Sequence, residues 1–265
     1  MPIFDDLQAF IIDMDGVLWE GQRPLPGLAE FFAALRAGGR RFILATNNAS
    51  QTPEQYQAKL AGFGVTVARD EILTSAQAAA LYLRQTGPAG ARVFPIGEAG
   101  LREALTEQGF ALAELYETDA QYVVVGMDRG LTWDKLATAT LNLRAGAVFV
   151  GTNPDKTIPT ERGITHGNGA VLAALQAATD LPPLIIGKPE PTMYQLALRR
   201  LGVAPGAAAA IGDRLDTDIL GAVRAGMRSV LVLSGVATRA DLELSPFQPT
   251  WVLEDIRAVT RTLRG

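Results

Sequence analysis

Residues 9–18 read AFIIDMDGVL, an apolar run typical of a buried strand that ends in the carboxylates of Asp13 and Asp15. Residues i and i+2 of an extended chain share a face, so both carboxylates can address one small volume while Met14 turns into the core. An ionised carboxylate beside a buried strand needs a cation, hydrogen bonds or a ligand to offset its lost solvation. The two carboxylates of this diad therefore indicate a functional site. The local alternative is that Asp13 ends the strand and Asp15-Gly16 forms an ordinary turn.

Strand and helix patterns alternate outward from this stretch along nearly the whole chain. Strands are predicted at residues 9–12, 41–45, 92–97, 122–126, 147–151, 184–187, 208–211 and 229–233. Helices are predicted at 27–37, from Pro53 after the N-cap Thr52, from the N-cap Ser75 to about 85, at 191–201 and at 217–225. This alternation predicts an α/β fold whose core is a Rossmann-like, doubly wound parallel sheet.

The alternation restarts in the middle of the chain, which predicts a second, smaller α/β unit inserted into the core. The restart lies near Gly87, and Pro182-Pro183 cannot continue the helix that precedes them. We therefore predict a first part of the core domain at 1–86, the inserted unit at 87–183 and a second part of the core domain at 184–265.

Composition excludes several classes of protein and of site. The 265-residue chain is 48% hydrophobic and 20% charged, which predicts a soluble globular protein, and its net charge of -4 argues against nucleic acid or an anionic membrane as partner. Without a long apolar segment or a secretion signal, the cytoplasm is the expected location. The absence of Cys and a single histidine, His166, exclude thiolate chemistry and multi-histidine metal sites. A metal would therefore be held by oxygen ligands, which suit Mg²⁺.

Polar side chains follow the predicted strands where the reacting groups of an open parallel sheet gather. They are Asp13 and Asp15, Thr46 and Asn47, Lys188, and Asp213 and Asp218. A hydroxyl, an ammonium and several carboxylates together suit a phosphate with its magnesium ion. Taken singly, each has an ordinary explanation as a turn residue, a helix cap or a solvated side chain, so the indication comes from their joint occurrence in order.

The proposed roles follow from electrostatics. A phosphate dianion is repelled by Asp13 by on the order of 1 kcal/mol per charge pair in water, and by more at lower dielectric. A divalent ion held by Asp13 and Asp213 reverses that sign, while Lys188 and Thr46 bind the phosphate oxygens. Asp13 can then attack phosphorus, and Asp15 is placed to protonate the leaving oxygen and later to deprotonate water.

The ordered motifs DxDGVL, TNN, GKPEP and GDRLDTD resemble the four motifs of the haloacid dehalogenase superfamily. The long interval between Thr46 and Lys188 is typical of members that carry a large α/β cap. The stretches 24–27, 151–155 and 167–170 are similar to the p-nitrophenylphosphatase or NagD-like branch. This resemblance spans essentially the full chain, and it identifies the inserted unit as the cap.

The resemblance implies a Mg²⁺-dependent phosphatase for small phosphorylated metabolites, with no nucleic-acid or membrane partner. It implies that Asp13 is the nucleophile and Asp15 the general acid and base, that Thr46, Asn47 and Lys188 bind substrate, and that Asp13, the Asp15 carbonyl, Asp213 and Asp218 hold the metal. Whether Asp218 does so directly or through water stays open. Cap-mediated homodimers occur among the proteins it resembles, so a homodimer is an alternative to a monomer.

Other functions remain as alternatives. A response-regulator receiver also joins carboxylates, Thr and Lys around Mg²⁺, but the length and the inserted unit argue against it. A non-catalytic binding protein has no need of the two carboxylates of the diad, and a phosphotransferase or phosphomutase stays open. Asn153 and Asp155 are expected to form a turn, and His166 to lie on the surface, with substrate contact as the alternative for all three.

Overall fold

The computed structural model describes residues 3–160 and 162–265, which divide into two compact units. Unit 1 comprises the described residues up to Thr46 together with Glu54–Leu73 and Lys188–Gly265. Unit 2 comprises Asn47–Pro53 and Thr74–Gly187. In the part of the chain that the structure describes, no helix combines the length and the apolar character needed to cross a membrane.

Short strands recur along both units. In chain order they are β1 (Ala9–Ile12), β2 (Trp19–Glu20), β3 (Arg23–Pro24), β4 (Arg41–Thr46), β5 (Ile72–Thr74), β6 (Arg92–Ile96), β7 (Ala111–Leu112), β8 (Tyr122–Val125), β9 (Val148–Gly151), β10 (Thr157–Thr160), β11 (Gly163–His166), β12 (Leu184–Ile185), β13 (Ala208–Gly212), β14 (Arg228–Val232) and β15 (Trp251–Leu253).

Helices alternate with these strands. They are α1 (Leu28–Ala37), α2 (Pro53–Gly62), α3 (Ser75–Thr86), α4 (Ala99–Glu107), α5 (Trp133–Arg144), α6 (Asn168–Thr179), α7 (Pro191–Leu201), α8 (Leu220–Arg224), α9 (Arg239–Leu244) and α10 (Ile256–Arg264).

The sheet of unit 1 runs β15-β14-β13-β1-β4-β5. Strand β1 pairs in parallel with β13 on one side and with β4 on the other, so that Phe10 lies opposite both Ala209 and Phe42. The chain first adds strands on one side of β1 and later on the other, and strand order therefore reverses between β1 and β13. This is the predicted doubly wound sheet, and the fold class is confirmed.

Unit 1 is held together by strands that are apolar on both faces, as a covered parallel sheet requires. Phe10, Ile12, Leu44, Ile211 and Val230 are all buried and belong to one core cluster. Full burial of each such side chain contributes about 1.5–3 kcal/mol. The carboxyl ends of these strands are therefore fixed in position, and so are the residues that follow them.

Unit 2 has a parallel sheet of its own, in the order β12-β9-β8-β6-β7. Its core is a separate cluster that includes Phe94, Val123, Phe149 and Leu172. Strands β10 and β11 pair antiparallel beside it as a hairpin. Unit 2 is thus the smaller α/β unit that the sequence predicts.

The extent of unit 2 differs from the predicted insertion at 87–183, because α3 and the segment Asn47–Pro53 also belong to it. The Ser75 hydroxyl donates to the carbonyl of Asn47 at 2.6 Å, and the Asn153 amide donates to the same oxygen at 2.8 Å. These bonds join three distant stretches of sequence, which a linear reading of the pattern cannot register. That the insertion closes over the site as a cap stays a prediction.

Some local boundaries also differ. The prediction of Ser75 as N-cap is wrong, since Thr74 caps α3 and exchanges hydrogen bonds with Gln77 at 3.1 and 3.0 Å. A single continuous helix at 217–225 is wrong as well: residues Leu215–Ile219 form a π-helical turn before α8 begins. Wide turns of this kind occur frequently at functional sites.

Candidate active site

The predicted residues of unit 1 gather where strand order reverses. Asp13 directly follows β1, and its backbone N–H donates to Ile211 of the neighbouring β13 at 2.8 Å. Asp213 directly follows β13, and Thr46 is the buried last residue of β4. In open α/β sheets this crevice beyond the carboxyl ends of the strands is the usual ligand site.

Lys188 lies at the centre of this group, with its side chain only 3% exposed. Its Nζ is 2.6 Å from Oδ1 of Asp13 and 2.7 Å from Oδ1 of Asp218, and it donates to the carbonyl of Ala45 at 3.1 Å. An ammonium has three hydrogens to donate, and these three acceptors lie on three separate segments of unit 1. One cation thus connects the ends of β1 and β4 to the turn after β13.

Burial shifts the ionisation of both partners. It would lower the pKa of Lys188, but the carboxylates of Asp13 and Asp218 outweigh it and hold that pKa well above its usual value. Burial raises the pKa of Asp13, and the opposing effect of Lys188 does not fully offset it. The lysine is therefore charged at neutral pH. One ammonium is not enough to balance the carboxylates around it.

Asp213 is held tightly by backbone. Its Oδ2 accepts a hydrogen bond from the N–H of Val236 at 2.8 Å, and its carbonyl accepts from Ala237 at 2.9 Å. A Cβ at Gly16 or Gly235 would overlap its carboxylate, so glycine at both positions lets the backbone approach. Burial, followed by the charges of neighbouring carboxylates, raises the pKa of Asp213 to about 8.

Asp218 lies on the π-helical turn and is buried. Its Oδ1 accepts from Lys188, its Oδ2 accepts from the N–H of Arg214 at 3.2 Å, and its carbonyl accepts from the hydroxyl of Tyr194 at 3.1 Å. Burial raises its pKa to about 6, because Lys188 only partly compensates. Both of its carboxylate oxygens are therefore engaged with the protein.

Asp13, Asp213 and Asp218 form what we call the carboxylate cluster, with one oxygen of each within 4.8 Å of the others. Oδ1 of Asp213 is buried and has no hydrogen-bond partner among the described residues. A buried carboxylate oxygen without a donor is strongly unfavourable, and an oxygen-seeking cation would satisfy it. The cluster therefore fits a hard divalent ion such as Mg²⁺.

Asp15 is exposed and lies outside this cluster. Its Oδ1 accepts a hydrogen bond from the indole N–H of Trp19 at 2.7 Å. Sequence reasoning missed Trp19, although an aromatic donor four residues after the diad was a readable signal. Tyr194, three residues after the GKPEP motif, was missed as well.

Asn47 belongs to unit 2. Its amide nitrogen lies 3.4 and 3.5 Å from the carboxylate oxygens of Asp155, at the outer limit of a hydrogen bond. Asn153 is buried, and its Oδ1 accepts from the N–H of Asp155 at 3.2 Å, which is the turn that the sequence predicts. His166 is exposed on β11 and contacts its neighbour Thr165.

The structure thus brings Asp13, Lys188, Asp213 and Asp218 into contact, places Asp15 and Thr46 on the same unit, and places Asn47 on the other. This division could not be predicted from the motif TNN, because its first two residues lie on different units. The catalytic and binding roles of these residues stay predictions.

Family models match both segments that carry the motifs. A model described as haloacid dehalogenase-like hydrolase matches residues 10–111, and an HAD-hydrolase-like model matches residues 185–259. Full-length relatives are similar too. An acid sugar phosphatase from Staphylococcus saprophyticus is 37% identical over 256 residues, which cover 97% of this chain and 98% of the relative.

Solved structures show the same fold. A glycerol phosphate phosphatase from Mycobacterium tuberculosis in complex with magnesium aligns with a TM-score of 0.92 and 35% identity, covering 100% of this chain and 79% of that one. A p-nitrophenyl phosphatase from Archaeoglobus fulgidus aligns with a TM-score of 0.91 and 32% identity, covering 97% and 99%. The resemblance read from the four motifs is confirmed.

Proposed function

The chain belongs to the haloacid dehalogenase-like hydrolases, in the p-nitrophenylphosphatase or NagD-like branch, and we propose that it hydrolyses small phosphomonoesters through an aspartyl-phosphate in a Mg²⁺-dependent reaction. It is a phosphoric monoester hydrolase that acts on small phosphorylated substrates, as its relatives are. The proposal adds the cofactor requirement, the covalent step and the residues that carry them. The observation on which it rests is the buried contact of Lys188 with Asp13 and Asp218.

Asp13 is the proposed nucleophile. Lys188 holds its Oδ1 and the N–H bond to β13 fixes its backbone, so the carboxylate is oriented before substrate arrives. Attack of a carboxylate oxygen on phosphorus forms the aspartyl-phosphate while the bond to the leaving oxygen breaks. Water then attacks phosphorus, which releases inorganic phosphate and restores Asp13.

Lys188 and Thr46 are the proposed phosphate ligands in unit 1, and Asn47 is the predicted ligand in unit 2. The ammonium of Lys188 is buried and charged, which makes it a strong partner for a phosphate dianion, and a phosphate oxygen would take the place of one of its three acceptors. The hydrogen bonds from the Asn47 amide to Asp155 are long, so this one contact is weak.

Mg²⁺ is the proposed cofactor, held by Asp13, Asp213 and the backbone carbonyl of Asp15. When bound, it offsets the repulsion between the carboxylates and the phosphate dianion. The orphaned Oδ1 of Asp213 supports a direct ligand role for this residue. Asp218 has both oxygens engaged by Lys188 and Arg214, which supports a role through water or through Lys188.

Asp15 is the proposed general acid and base. It is two residues from Asp13, exposed, and held by one oxygen. It would protonate the leaving oxygen in the first step and take a proton from the attacking water in the second.

The remaining predictions concern assembly and location. We retain as proposals that unit 2 acts as a cap which excludes bulk water and selects the leaving group, that a homodimer forms through it, and that the protein is cytoplasmic. No nucleic-acid or membrane partner is proposed.

Phosphate release from a panel of sugar, glycerol, nucleoside and p-nitrophenyl phosphates tests the function. We expect release from several esters with Mg²⁺, loss of release with excess EDTA, and recovery when Mg²⁺ is restored. Binding of esters without release would favour a non-catalytic protein. Phosphorylation of an added alcohol in place of phosphate release would favour a phosphotransferase. Turnover that persists after complete removal of metal would contradict the proposed cofactor.

A further inference from the structure

Among the described residues, Trp19 is the hydrogen-bond partner of the Asp15 side chain. The indole N–H lies 2.7 Å from Oδ1 of Asp15, a short and direct hydrogen bond. Trp19 is fully buried, whereas Asp15 is exposed. An exposed carboxylate is thus hydrogen-bonded through one oxygen to a fully buried side chain.

The backbone turn between Asp15 and Trp19 brings the two side chains close together. Gly16 has φ +80, a value that favours glycine, and its N–H donates to the carbonyl of Trp19 at 2.8 Å. The N–H of Leu18 donates to Met14 at 2.8 Å and closes the same turn. The contact between Asp15 and Trp19 therefore follows from the backbone path.

The indole is fixed on its faces as well. The ring of Tyr56 stacks on it at 6.3 Å with an interplanar angle of 19°, and Phe63 packs at 6.1 Å. Nζ of Lys59 lies 4.2 Å from the ring centroid and donates to the carbonyl of Gly21 at 2.8 Å. A cation over the face withdraws electron density from the ring and makes its N–H a stronger donor.

Lys59 also acts on Asp15 through space. Burial lowers the pKa of Lys59, and the Asp15 carboxylate opposes that shift. Trp19 thus contacts both the ammonium of Lys59 on α2 and the carboxylate of Asp15.

We propose that Trp19 is a positioning residue that orients Asp15 for proton transfer to the leaving oxygen, with Lys59 strengthening its hold. This inference rests on the proposed function, in which Asp15 is the general acid. With Oδ1 held by the indole, Oδ2 is presented to the reacting groups in one orientation. Loss of the indole N–H would let the exposed side chain sample several rotamers, only some of which transfer a proton.

The leaving group provides the test. Release of p-nitrophenolate needs little protonation, whereas release of an alkoxide from glycerol phosphate needs a well-placed acid. The parameter to measure is kcat/KM, since it covers the steps up to transfer of phosphorus to Asp13 and excludes hydrolysis of the intermediate. For Trp19→Phe at saturating Mg²⁺ we expect a loss of about 10–100-fold with glycerol phosphate and less than about 3-fold with p-nitrophenyl phosphate.

A double-mutant cycle with Asp15→Asn separates positioning from general damage. Once Asp15 cannot donate a proton, Trp19→Phe should cause no further loss with glycerol phosphate. Phe63→Leu is the matched control, because it loosens packing on the same indole and leaves the N–H in place. It should change both substrates by one small factor. Replacement of Trp19 by benzothienylalanine, in which sulfur replaces the indole N–H, provides the same test if Trp19→Phe does not fold.

An equal loss with both esters, or a loss that persists beside Asp15→Asn, would overturn the role of Trp19. The proposed function fails differently. If Asp15→Asn alone slows both esters equally, Asp15 is not the general acid. The proposed role of Trp19 then fails as well, because it depends on that assignment. If Asp15→Asn behaves as expected and Trp19→Phe does not, only the inference is wrong.

Discussion

The two units differ in the balance of the charges that they bury. Unit 1 buries charges, with three carboxylates around the single ammonium of Lys188. In unit 2 the largely buried carboxylate of Asp128 is balanced by Lys135, and the buried Asn142 is neutral: it donates to the carbonyls of Glu117 and Thr138 and accepts from the N–H of Ala120. Its bonds are made within the protein, as in most buried polar groups.

The difference indicates which group is functional. An amide whose hydrogen bonds are all made within the protein stabilises its surroundings and needs no ligand. A buried excess of negative charge opposes folding and is retained where a ligand balances it. Buried polar side chains occur in both units and therefore do not identify the functional site. The excess of buried negative charge occurs in unit 1 and identifies it there.

The largest effect is expected from Asp13→Asn. An amide cannot attack phosphorus, so phosphate release should fall at least about 1,000-fold with every ester. Lys188 keeps its pair with Asp218, and the cluster loses one of its negative charges, so the variant should remain folded, which its melting temperature would show. Substantial residual turnover in a folded, metal-loaded variant would refute the nucleophile assignment.

Lys188→Ala should affect both binding and stability. Without the ammonium, the carboxylates repel phosphate, and inhibition by inorganic phosphate should weaken about 10-fold or more. Removing one partner of a buried ion pair leaves the other charge unpaired and lowers the free energy of unfolding by about 3–5 kcal/mol.

Lys135→Ala is the matched lysine in unit 2. Its pair with Asp128 spans 2.7 Å, but its side chain is 30% exposed. Because water reaches Lys135 while the side chain of Asp128 is only 5% exposed, we expect a smaller loss of unfolding free energy than for Lys188→Ala, and unchanged inhibition by phosphate. If the two lysine variants behave alike, the contrast between the units has no energetic basis.

The pH dependence of stability should reveal the unbalanced carboxylates. The pKa of Asp213 is raised to about 8 and that of Asp218 to about 6, against about 3.9 for an unfolded aspartate. The folded state therefore binds protons more tightly, and the metal-free protein should lose stability as pH rises from about 4 to about 8. Mg²⁺ should flatten this decline, because the ionised carboxylates then face a cation.

Melting temperatures between pH 5 and 8.5, with EDTA and with Mg²⁺, measure this effect. Asp213→Asn is the control: it should flatten the decline in EDTA and remove most of the stabilisation by Mg²⁺. Identical slopes with and without metal would count against the cluster as a cation site.

No effect on the site is expected from Asn142→Ala in unit 2. It leaves buried backbone groups without partners, which costs about 1–3 kcal/mol of unfolding free energy. Because no charge is involved, the loss should be the same with EDTA and with Mg²⁺, and kcat should be retained. A loss that depends on Mg²⁺ would link the neutral network to the site.

Much of this molecule is predictable because its signals are local. The apolar run before Asp13 predicts a strand, and the strand end predicts where Asp213 lies. The partners of these residues are not local. The indole that holds Asp15 depends on a turn at Gly16, and the amide of Asn47 meets Asp155 through a contact between distant segments. The π-helical turn has no sequence period of its own, so a regular helix was expected there.

Thr46 is the last residue of unit 1 before the chain first leaves it, and Lys188 is the first residue when the chain finally returns. Thr46 and Lys188 are thus each joined by a single peptide bond to the unit that we propose selects substrate. A chimera with new specificity would therefore take Asn47–Pro53 and Thr74–Gly187 from a relative and keep Glu54–Leu73, which lies between them in sequence but belongs to unit 1.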